Sequence, residues 1–72
     1  MRSEMSASTA LSDRQLQVVI LLAEGYTKQR VADELYVDVE TVRSHSKAAQ
    51  RKLGALNATH MCVLAIRRGI ID

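Results

Sequence analysis

Four short hydrogen-bonding side chains, Ser12, Thr27, Asp38 and Asn57, each precede a stretch in which apolar residues recur at helical spacing, and Gly25, Gly54 and Gly69 close three of those stretches. Residues of the first kind cap helices by accepting a backbone N–H, and glycine stops them by turning left-handed without a Cβ penalty. Ser12 followed three residues later by Gln15 forms a capping-box pattern, which predicts a first helix over 13–24 with Val18, Leu21 and Leu22 on one face. Thr27 opens a second helix over 28–35, whose Val31, Ala32 and Leu35 repeat the spacing. Asp38 opens a third over 39–53 and Asn57 a fourth over 58–68. Residues 36–38 are too short a link for parallel neighbours, so the second and third helices read as a helix-turn-helix. The expected fold is an all-α, compact four-helix domain.

Composition agrees with helices. The chain has 72 residues, 47% of them apolar, yet its only aromatics are Tyr26 and Tyr36, and it lacks Pro, Trp and Phe. A core of Leu, Ile, Val, Ala and Met favours helices over a small barrel of aromatic and β-branched strands. One domain is all this length supports. Residues 1–10, rich in Ser, Thr and Ala without an apolar period, read as a flexible arm ahead of a domain over 11–72.

Several function classes fall away. No apolar run reaches membrane-spanning length, and the basic start leads into no signal-peptide core, so a soluble, cytoplasmic protein is expected. Cys62, His45 and His60 cannot complete a four-ligand metal site, so no metal or cofactor is expected. Cys62 reads as a small apolar residue in a helix. His45, at the edge of the packed face of the third helix, reads as structural. No Ser/His/Asp, Cys/His or paired-carboxylate arrangement has plausible catalytic spacing, which argues against an enzyme.

The charge is segregated along the chain. Residues 1–40 hold four basic and seven acidic side chains, whereas residues 41–71 hold six basic ones (Arg43, Lys47, Arg51, Lys52, Arg67, Arg68) and no acid. Such a distribution points to a polyanionic partner for the second half. On the third helix, Val42, Ser46, Ala49 and Leu53 share one side, and Glu40, Arg43, Ser44, Lys47 and Arg51 share the other. A helix of this kind fits the major groove of double-stranded DNA. Arg43 and Lys47 supply donors for guanine, and Ser44 between them permits close approach; these three are the expected base contacts. Arg51 and Lys52, further along, are expected at phosphates, as is Thr41 in the first turn, where free amides and the helix dipole favour anions. Glu40 departs from the cationic pattern; acceptance from a cytosine amine is one option, but its position in the first turn favours a role at the positive helix end.

On the fourth helix Met61, Leu64 and Ala65 form one apolar face. Thr59, Val63 and Ile66 form another, expected at a two-fold contact between copies. A second stripe on the first helix, Leu16 and Ile20 with Ala23, is a candidate surface for a protein partner such as RNA polymerase or another regulator.

With these residues in view, the segment from Leu11 to Thr59 resembles the DNA-binding domain of LuxR/GerE-type regulators. The matching features are Leu11, Arg14 and Val18; the turn at Ala23, Gly25 and Thr27; Val31, Ala32 and Leu35; and Thr41, Val42, Arg43 and His45, then Lys52, Leu53, Gly54 and Asn57. The resemblance implies a domain that binds DNA as a homodimer, with the third helix reading bases and the fourth at the dimer contact. It places Arg43, Ser44 and Lys47 at base-reading positions and Thr27, Lys28, Thr41 and Lys52 near the backbone. Family members usually carry a receiver or sensing domain ahead of this one, so the chain resembles a stand-alone member, or a fragment of a longer one. Gln15 and Gln17 stand where acids are usual. Ser46, Ala49 and Gln50 stand where bulkier residues are common, and Met61, where alanine is usual, is expected to fill part of that volume. The competing reading is a helical protein-interaction module that uses the apolar stripes instead of the cationic face.

Overall fold

A computed structural model describes residues 11–72; the expected arm over 1–10 lies outside the described residues. Four helices follow in order: α1 (Asp13–Ala23), α2 (Lys28–Leu35), α3 (Val39–Leu53) and α4 (Ala58–Arg67). Each begins at the expected cap. The Ser12 hydroxyl accepts from the Gln15 N–H at 3.1 Å while the Gln15 side chain accepts from the Ser12 N–H at 3.1 Å, completing the capping box. Thr27 accepts from the Arg30 N–H at 3.1 Å, Asp38 from that of Thr41 at 2.8 Å, and Asn57 from that of His60 at 2.8 Å. The first and fourth helices each end one residue short of the expected position, at Ala23 and Arg67.

The four C-termini share one device. A residue of positive φ follows the helix, and the next amide bonds back to the carbonyl five residues earlier: Tyr26 to Leu21, Val37 to Ala32, Ala55 to Gln50 and Ile70 to Ala65. This closure satisfies carbonyls that the helix leaves open. Glycine holds the positive-φ position in three cases, but after α2 it is Tyr36, at φ 58° and with 94% of its surface exposed. A left-handed tyrosine pays a steric cost of about 1–2 kcal/mol, and nothing in the fold explains its choice there. Tyr36→Gly is expected to raise stability by up to about 1 kcal/mol, since the greater freedom of glycine in the unfolded chain offsets part of the relief. A denaturant titration measures this, and a loss of stability would assign the ring a structural contact.

The core has two lobes. Val19 of α1, Ala49 and Leu53 of α3, and Met61 and Ala65 of α4 form one; Val18, Val31, Ala32 and Val42 join α1, α2 and the start of α3 in the other. α1 and α3 therefore form the central pair, each packed on the other three elements, with α2 and α4 to either side. Neither of the two apolar stripes expected for α1 included Val19. Val18 and Val19 are both fully buried because adjacent helical residues diverge by about 100°, enough to enter different lobes. Val37 and Val39 pack against the second lobe and pin the turn between α2 and α3. Ser46 is buried on α3, and among the described residues no buried side-chain nitrogen or oxygen lacks a hydrogen-bond partner.

Cys62 is half-buried against the first lobe, where desolvation pushes its thiol pKa up, consistent with a packing role. His45 is half-buried on α3. His60 has a use the sequence reading missed: its Nδ1 accepts the Leu56 N–H at 2.9 Å, adding a second side-chain bond at the start of α4.

Candidate nucleic-acid interface

The amphipathic division of α3 decides what the domain presents. Val42, Ser46, Ala49 and Leu53 turn inward and are buried, which leaves Glu40, Arg43, Ser44, Lys47 and Arg51 exposed on the opposite side, lining one open groove. The three residues expected to contact bases thus lie together, with Arg51 from the expected phosphate set beside them. Lys47 and Arg51 have no carboxylate partner among the described residues, so their charges face solvent unneutralised. Arg43 is different: its guanidinium bonds the Glu40 carboxylate one turn earlier. The i, i+3 spacing makes this pair available to sequence inspection.

The remaining expected phosphate contacts lie elsewhere. Lys52 donates to Gln15 Oε1 at 2.9 Å, which ties the last turn of α3 to the capping box of α1. Gln15 is a neutral acceptor, so this bond brings no carboxylate to the ammonium. Thr27 is exposed with its hydroxyl capping α2, and Lys28 is half-buried in the first turn of that helix. Thr41 is half-buried and gives its hydrogen bonds to Asp38. Two further arginines are employed internally. Arg68 donates to the Leu53 carbonyl at 3.2 Å, closing the end of α3, while Arg30 pairs with Glu34 at 3.5 Å and lies 5.0 Å from the Tyr26 ring.

Asp38 sets the N-terminus of α3. Hydrogen bonds from the Thr41 side chain and then from its backbone N–H hold the Asp38 carboxyl pKa below its ordinary value. A folded-state pKa depressed in this way contributes stability that is complete above the unfolded value and disappears as pH falls through the folded one. Asp38→Asn keeps a capping side chain without the charge. The gap in thermal midpoint between wild type and this variant is therefore expected to be largest near neutral pH and to close on acidification through the carboxylate range. A gap that is constant with pH would remove the charged cap from the account.

The apolar surfaces combine in an unexpected way. Ile20, 39% exposed, and Ile66, 50% exposed, line one groove with Ala23, Glu24, Ile70 and Ile71. The sequence reading assigned Ile20 to a protein partner and Ile66 to a dimer contact; packing of α1 against α4 makes them neighbours. Leu16 is half-buried, whereas Thr59 and Val63 are exposed on α4, and none of these three lines that groove. Among the described residues no helix is long and apolar enough to cross a membrane.

The chain has relatives among known bacterial regulators. The chain is 37% identical over 65 residues to the transcriptional activator protein BjaR1 of Bradyrhizobium diazoefficiens, covering 90% of the chain and 27% of that protein. It is 31% identical over 62 residues to the oxygen regulatory protein NreC of Staphylococcus aureus, covering 86% of the chain and 29% of that protein. The chain thus spans under a third of the length of these relatives. No solved structure gives a significant match. Residues 9–65, which take in α1, α2, the turn and the whole of α3, match the family described as "Bacterial regulatory proteins, luxR family". A match that runs through the capped helices, the tight turn and the cationic helix at once places the chain in the luxR family of bacterial regulatory proteins.

Proposed function

We propose that the chain binds double-stranded DNA sequence-specifically as a homodimer and regulates transcription in the cytoplasm, with α3 in the major groove. The observation that carries this reading is the outer face of α3, where Arg43, Ser44 and Lys47 line one open groove while the opposite face is buried. Arg43, Ser44 and Lys47 read base edges; Arg51, Lys52, Lys28, Thr27 and Thr41 meet the phosphate backbone, which positions the domain without reading sequence. Thr59, Val63 and Ile66 on the outer side of α4 form the contact between copies. Two reading helices related by a two-fold axis require an operator of matching symmetry. The relatives named as a transcriptional activator and an oxygen regulatory protein support regulation as the outcome of binding.

A titration of the full chain against a randomised duplex pool at two salt concentrations, with sequencing of the bound fraction, tests the proposal. Enrichment of a dyad-symmetric motif with affinity falling steeply in salt is expected. An asymmetric motif would remove the dimer, and the absence of both enrichment and salt dependence would remove DNA reading altogether. The groove shared by Ile20 and Ile66 favours a second reading in that event, a module that binds RNA polymerase or another regulator through apolar contact.

A further inference from the structure

The acid on the reading face is out of place if the face only has to attract DNA. Residues 41–71 contain no acid, yet Glu40 lies in the groove with Arg43, Ser44, Lys47 and Arg51, its side chain 76% exposed. A carboxylate there is repelled by every phosphate it approaches, so it weakens binding to DNA in general. Glu40 does lie in the first turn of α3, where an acid favours the positive end, but the cap itself is made by Asp38, whose carboxylate accepts from Thr41. The Glu40 carboxylate turns instead to the Arg43 guanidinium.

We infer that Glu40 is a specificity-determining residue of the DNA-reading face, its carboxylate accepting the N4 amino group of a cytosine while the Arg43 it holds donates to guanine. This inference rests on the proposed DNA-reading function. The chemistry is complementary: in the major groove a G·C pair presents the guanine N7 and O6 acceptors next to the cytosine N4 donor. A carboxylate bonded to one edge of a guanidinium offers the matching row, with donors left on Arg43 and a free acceptor position on Glu40. The pairing also restrains Arg43 before DNA arrives, so less side-chain freedom is lost on binding. Against a base edge that presents only acceptors, the same carboxylate is repelled, and discrimination comes as much from this penalty as from the bond. The general loss of affinity is the counterpart of that selectivity.

The test is to determine the base preferences of the wild-type chain, Glu40→Gln and Glu40→Ala by sequencing duplexes bound from a randomised pool. Glu40 is mostly solvent-exposed, and thermal unfolding of each variant confirms that it folds. The wild type is expected to require cytosine at one position per half-site, next to or paired with a required guanine. Glu40→Gln should shift that position toward adenine, whose N6 and N7 suit a glutamine amide, and Glu40→Ala should flatten it, with cytosine discrimination falling by about fivefold or more. Both variants should bind unrelated duplexes more tightly than wild type. Unchanged base preferences in both variants, beside a clear motif for the wild type, would overturn the inference and leave the DNA-reading function standing. A wild type that selects no motif would overturn both.

Discussion

Met61→Ala is expected to destabilise the domain by about 2–5 kcal/mol, the range for truncating a large buried side chain where the surroundings relax only in part. Among the described residues Met61 is the largest fully buried side chain, and it shares the first lobe of the core with Val19, Ala49, Leu53 and Ala65. Two of those neighbours are alanines, which cannot swing into the vacated space. A domain of 72 residues has roughly 4–11 kcal/mol of stability in all, so this one substitution removes a large share of it. The volume argument carries a sharper consequence. Met61 and Ala49 are both fully buried in this lobe, so Ala49→Leu alone should overpack it, at a cost of about 1–3 kcal/mol. Combined, the two substitutions should cost less than their sum, because each supplies what the other lacks. Denaturant titrations of the four proteins measure the coupling, and strict additivity would show that the two side chains do not share one volume.

Arg43→Ala should have the largest effect on DNA binding. Removing a bidentate guanine contact costs about 1–3 kcal/mol at its base position. It also strips Glu40 of its partner and leaves an unpaired carboxylate on the reading face, which pushes the loss toward the upper end of that range. The effect should be larger on cognate duplex than on unrelated sequence, which loses only the electrostatic part, so specificity shrinks together with affinity. Lys52→Ala is the informative contrast: it should weaken all sequences alike and reduce the slope of log affinity against log salt by about 1, the signature of a lost phosphate contact. Since Lys52 also bonds Gln15, thermal unfolding of that variant separates a loosened α1–α3 contact from a lost phosphate. Binding of both variants to cognate and scrambled duplexes over a salt series is the deciding measurement, and indistinguishable behaviour would erase the division between base-reading and backbone-holding residues.

Most of the architecture was legible in the chain because its signals are local. Ser12, Thr27, Asp38 and Asn57 need only an amide three residues ahead to act as caps, and Gly25, Gly54 and Gly69 need only their own backbone freedom. The inward and outward faces of α3 follow from helical periodicity, so the residues of its cationic outer face were identifiable together, and the family resemblance pointed to the same helix. The end of α2 at Leu35 was expected and is observed, although a tyrosine occupies the next position, where glycine is the usual signal.

What the sequence by itself determined is therefore where each helix begins and, to within one residue, where it ends, which residues share a face, and which face of α3 is cationic. These properties depend on neighbours no more than about four residues apart, whose relation the helix itself sets. Tertiary structure alone decided the rest: that Val18 and Val19 enter different lobes, that Lys52 reaches Gln15 and Arg68 reaches the Leu53 carbonyl, and that Ile20 and Ile66 form one groove. Those pairs join different helices or a helix and a distant turn. Whether two faces meet depends on how side chains of unequal volume interlock between helices, and no local periodicity carries that information.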